Sequence, residues 1–152
     1  MILRIALMLC IIGGRFLPQE AFDKQAFYSV MASGQLREID RELKSVDASE
    51  IPEKGAYGGA LLMKKAGFVA LPKDKLKDFR LGATQLETAI SKDSTNAEYR
   101  FLRLSIQEHA PRIVKYSADI QRDKAFIRLH LKSLPPVVQD AISEYSKHSH
   151  VL

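Results

Sequence analysis

Past its first twenty residues the chain sets apolar side chains three and four positions apart, the spacing of one face of an α-helix. Phe22, Ala26, Phe27 and Val30 mark a first helix over about Ala21–Ser33. Leu36, Ile39, Leu43 and Val46 step by three, four and three and mark a second. Gly34 lies between them, where a helix end calls for the positive φ that glycine tolerates. The two segments therefore read as a helical hairpin.

A polar connector, Asp47–Gly55, contains Pro52. The next helix spans about Glu53–Ala66 and carries Ala56, Ala60, Leu61 and Met63. Gly67 is its expected stop, and Lys64 and Lys65 suit the negative end of its dipole. Gly58 and Gly59 lower helix propensity, so a neighbouring helix is expected to approach closely there. Pro72 is suited to the first turn of a fourth helix. Leu76, Phe79, Ala83, Leu86 and Ile90 then step by three, four, three and four, with the small residues Gly82 and Ala89 beside them. That helix should end near Lys92, and Asp93–Asn96 supplies a turn with capping side chains.

Residues 97–110 are apolar over a wide arc: Tyr99, Phe101, Leu102, Leu104 and Ile106. A helix of this kind is contacted on several sides and belongs at the centre. Pro111 begins a short turn through Tyr116. Ser117 is the expected cap of a long helix to Leu134, carrying Ile120, Ile127, Leu131 and Leu134. Pro135-Pro136 opens a last helix with Val138, Ile142 and Tyr145, and residues 147–152 are expected to fray. No run of alternating strands appears. The pattern predicts an all-α fold, an irregular stack of about seven helices in hairpins, forming one domain over 21–146.

The stretch Leu76–Gln107 resembles a tetratricopeptide-type helical repeat. Gly82, Leu86 and Ala89 stand at the small–large–small positions of such a repeat's second helix. Asp93-Ser94-Thr95-Asn96 stands where the repeat reads Asp-Pro-x-Asn, with Ser94 in place of proline. AEYRFLRL resembles the opening of the next repeat. No second copy recurs at a period of about 34 residues, so the likeness is partial. The arrangement as a whole is similar to small, uncharacterised exported proteins of bacteria, which implies an all-helical fold and no particular activity.

The first residues, MILRIALMLCIIGG, pair Arg4 with the apolar run Ile5–Ile12 and a small-residue exit at Gly13-Gly14. This reads as a secretory signal peptide over 1–20, cleaved after Gly14 or a few residues later. The run is shorter than the roughly 20 apolar residues of a membrane-spanning helix. Cys10 follows Leu9 rather than the small residue of a lipoprotein signal. The expected destination is therefore the periplasm or the outside of the cell.

Composition fits this picture. Hydrophobic residues are 46 % and charged residues 27 % of the 152, too apolar for a disordered chain. One cysteine excludes an internal disulfide framework. The net charge of +5 draws attention to Lys64, Lys65, Lys73, Lys75, Lys77 and Arg80, a basic patch. It suits an acidic lipid, an acidic partner or simply a solvated face, and no nucleic-acid motif accompanies it; Phe68 and Phe79 beside it are expected to face the core.

Arg100, Arg103 and Gln107 form a polar stripe on the otherwise apolar central helix. Guanidinium offers forked donors, so the stripe suits a clamp for a carboxylate or phosphate of a ligand or peptide. The competing reading is internal pairing with Glu87, Glu98, Glu108 or Asp123. GAYGGA (Gly55–Ala60) has the glycines of a phosphate loop but neither the preceding strand nor the following Lys-Ser/Thr. His109, His130, His148 and His150 are scattered without metal-ligand spacing. Asp119 and Asp123 are one turn apart, a common spacing on solvated helices.

No catalytic residue, metal or cofactor is assigned. The sequence points to an exported interaction or scaffold module for a protein or peptide partner. The alternatives are an envelope-associated hydrolase without a nucleophile–base signature, or a basic surface-binding structural protein.

Overall fold

A computed structural model describes residues 22–152. The signal-peptide reading of 1–20 and the comment on Cys10 lie outside the described residues. Among these there are seven α-helices and no strand: α1 (Lys24–Ser33), α2 (Leu36–Ala48), α3 (Lys54–Ala66), α4 (Pro72–Lys92), α5 (Ala97–His109), α6 (Ile120–His130) and α7 (Pro136–Ser146). None of them is long and apolar enough to cross a membrane.

Local chemistry sets most boundaries. The Asp23 carboxylate accepts the Ala26 amide at 3.0 Å and caps α1. Gly34 closes the same helix at φ 69°, donating its N–H to the Val30 carbonyl. Pro72 occupies the first turn of α4, where a missing N–H costs nothing. The Asn96 side chain accepts the Tyr99 amide at 3.1 Å and starts α5. Pro111 follows its end.

Buried apolar side chains from all seven helices form one core, in which the Phe27 and Tyr57 rings stack at 4.2 Å. Ile39, Leu61, Leu86, Leu102, Leu104, Ile127 and Val138 are also fully buried. Each such residue contributes roughly 1.5–3 kcal/mol by leaving water.

The α3–α4 pair is the most extensive helix contact, and glycines set its spacing. A Cβ on Gly59 would sit 2.7 Å from the Gly82 carbonyl oxygen and 2.8 Å from the Leu86 nitrogen. A Cβ on Gly82 would sit 2.5 Å from the Gly59 oxygen and 2.9 Å from the Met63 nitrogen. Backbone meets backbone at this crossing, which repays the propensity lost at Gly59. Gly55, by contrast, has open space where a Cβ would go.

Several expectations are corrected. The helix expected from Ser117 to Leu134 is shorter, because a left-handed Lys115 (φ 51°) and a tethered Tyr116 carry the chain past Ser117. It starts after Asp119, and its last turn tightens to a 3-10 turn, Leu131–Ser133, before the two prolines. Phe68 does not face the core: it is 49 % exposed and lies over Gly34. Leu76 is exposed rather than covered. The tail expected to fray is tied down instead, as described below.

Candidate functional site

Among the described residues, one side of α5 is left open. Phe101, Leu102, Ser105 and Ile106 form the floor of a solvent-open hollow of about 1830 Å³. Its rim can be followed from contact to contact. The Phe68 ring, just before α4, covers Gly34 at the end of α1. Phe79 of α4 meets Tyr116 edge-on at 5.5 Å, beyond the 3-10 turn Arg112–Val114. His109 at the end of α5 meets Tyr145 of α7 at 6.3 Å, and α7 returns to α1. The rim therefore runs α1, α3–α4, the 3-10 turn, α7. In that cyclic order the α3–α4 wall and α7 are separated by α1 on one side and by the 3-10 turn on the other.

The lining is kept apolar by a repeated device. Tyr28, Tyr116 and Tyr145 turn their rings to the hollow and hand their hydroxyls to glutamates outside it. Tyr28 donates to Glu98 at 2.8 Å, Tyr116 to Glu87 at 2.6 Å and Tyr145 to Glu108 at 2.5 Å. Burial first, and the adjoining carboxylates second, push all three hydroxyls well above the usual phenol range. They stay protonated donors at neutral pH. The Ser29, Thr84 and Ser105 hydroxyls bond to carbonyls of their own helices. Exposed apolar side chains, Phe68, Leu76 and the 88 %-exposed Ile113, stand on the lip.

Glu98 and Glu108 anchor the surrounding frame. Glu98, buried, also accepts from Tyr57 at 2.5 Å and from Lys24 at 3.0 Å, joining α1, α3 and α5. Glu108 accepts from Tyr145, from Ser149 at 2.7 Å and from the His150 amide at 2.6 Å. This carboxylate is why the C-terminal residues pack back on the body. Burial acts to raise the Glu108 pKa; the three hydrogen bonds outweigh it and hold the carboxyl below its usual range.

The Arg stripe faces the other way, toward α6. Arg103 is 3 % exposed, and each of its three guanidinium nitrogens meets a carboxylate. Nε and Nη2 grip Asp123 at 2.7 Å each, and Nη1 meets Glu87 at 2.8 Å and Asp119 at 3.5 Å. Arg100 bonds Asp123 at 3.1 Å and the Ser94 carbonyl at 2.6 Å, and lies 4.3 Å over the Phe126 ring. Gln107 is buried, and its Oε1 has no hydrogen-bond partner among the described residues. Asp119 and Asp123 thus serve the arginines and are not an isolated acid pair.

The basic patch divides. Lys64, Lys75 and Arg80 lie along the α3–α4 wall of the hollow. Lys65 pairs with Asp40 at 2.8 Å, and Lys73 and Lys77 are exposed away from it. His148 is exposed beside Glu144, and His150 contributes its amide rather than its ring to Glu108.

The hollow itself was hidden in the sequence. The wide apolar arc of α5 signals several packed sides, yet nothing in it says that one sector looks onto open space. The acidic residues opposite the basic wall, Asp140 and Glu144, carried no motif. The chain matches no protein-family model, no curated protein and no solved structure.

Proposed function

We propose that the chain is an exported, partly tetratricopeptide-like interaction module whose hollow receives the apolar face of a helix from a protein or peptide partner. The observation that carries this is the hollow: an apolar floor, an apolar lip, and wall hydroxyls already bonded elsewhere. Such a floor offers apolar burial that strands none of these hydroxyls, as helix-in-groove recognition needs. Its size also favours a helix. Pockets for small molecules run to about 300–1,000 Å³, whereas a helix about 10–12 Å across fills this volume over roughly three to four turns. Export rests on the leader-like residues 1–14.

The test is fluorescence anisotropy with the full chain and a labelled amphipathic peptide of about 14 residues carrying leucines on one face. Saturable binding is expected, and Ala83→Trp or Ala141→Trp should abolish it by filling the hollow while leaving the helical circular dichroism intact. Failure to bind, or equal binding by the filled variants, would overturn the reading.

A further inference from the structure

The two long walls of the hollow carry opposite charge. Lys64, Lys75 and Arg80 line the α3–α4 side, and none has an ion-pair partner among the described residues. Asp140 and Glu144 line the α7 side. Asp140 has no ion-pair partner there either, while Glu144 meets Lys147 at 2.5 Å on the exposed surface and lies 3.9 Å from the His148 ring. Lys64 is half-buried, and that burial pushes its pKa down; an anion brought close would offset this by favouring the charged form. Unlike charges on the two walls of an apolar trough select an occupant with complementary edges.

Resting on the helix-docking reading above, we propose that the partner helix is flanked by acidic residues along the edge meeting Lys64, Lys75 and Arg80 and by basic residues along the edge meeting Asp140 and Glu144. A fatty acid or other anionic amphiphile would answer the basic wall but leave the acidic one facing apolar tail. A helix answers both, since its two flanks lie about 10–12 Å apart on either side of one apolar stripe. A helix with unlike flanks can also enter in only one direction, so the charges fix polarity as well as affinity.

The experiment uses the full chain and four peptides of about 14 residues sharing one leucine stripe. Their flanks are Glu/Lys, Glu/Glu, Lys/Lys and Gln/Gln. At low ionic strength the Glu/Lys peptide should bind roughly tenfold tighter than either single-sign peptide, and the gap should narrow at about 0.5 M salt. Lys75→Glu with Arg80→Glu, both at exposed positions, should make Lys/Lys the tightest of the four. If all four bind alike, the flank proposal fails and helix docking stands. If none binds, both fail. Binding of laurate but of no peptide would assign the hollow to an amphiphile and overturn both. Sedimentation of the free chain as a dimer whose dissociation accompanies peptide entry would make a second copy the occupant and overturn the proposed partner.

Discussion

Asp123 has no exposed surface and receives bonds from both Arg100 and Arg103. Removing it leaves Nε and Nη2 of the buried Arg103 without a partner, and breaking a buried pair costs about 3–5 kcal/mol. Asp123→Ala should therefore lower the unfolding free energy by that much in a urea titration, moving the midpoint down with little change in slope. Gln107 presents the opposite case. Its Oε1 is a buried acceptor without a donor among the described residues, and Gln107→Met keeps the shape without that atom. The substitution should be neutral or stabilising by up to about 1 kcal/mol in the same titration. Helical phase in the sequence places Arg100, Arg103 and Gln107 on one face. It does not say which carboxylates α6 and α4 bring opposite them. Of the four acids considered, Glu87 meets Arg103 and Asp123 meets both arginines, while Glu98 and Glu108 serve tyrosines.

The crossing of α3 and α4 tolerates no side chain at its centre. Gly82→Val should force the helices apart and destabilise by several kcal/mol, of the order of an overpacked core or more, whereas Gly55→Ala meets nothing and should gain about 0.5–1 kcal/mol. Thermal melts of the two variants, expected to move in opposite directions, provide the check. Leu86→Ala, at a fully buried site of the same interface, should cost about 2–5 kcal/mol. The stripe of α4 and its opening proline were readable because each is a local signal. The start of α6 was not, since Ser117 is a good cap by type and is overruled by a distant bond, Tyr116 to Glu87. The exposure of Leu76 was equally hidden: periodicity identifies a face, and only the assembled fold shows what covers it.

The molecule as a whole is held on its α7 side by Glu108, a carboxyl lowered below its usual range by three donors that outweigh burial. A depressed folded pKa contributes stability above the unfolded value, about 4.3 for glutamate, and loses it as pH falls through the lower folded value. As pH falls through that lower folded value the tail should release, which hydrogen exchange at the His150 amide would report; in Glu108→Gln that amide should exchange faster even at neutral pH. The all-α class and the hairpin organisation followed from spacing alone. The hollow did not, because it is created by what four separated segments leave unfilled.

The glycine-spaced pair also bears on how the chain reaches this state. Helices α3 and α4 are consecutive and joined by a short link, so their contact closes a small loop at little entropic expense. They are expected to assemble early, ahead of α7, whose partners lie far away in sequence. Stopped-flow chevrons would then separate two kinds of variant: Leu86→Ala chiefly slows refolding, and Tyr145→Phe chiefly speeds unfolding. The basic wall would be in place before the acidic one arrives, and the hollow would come into being only in the last step.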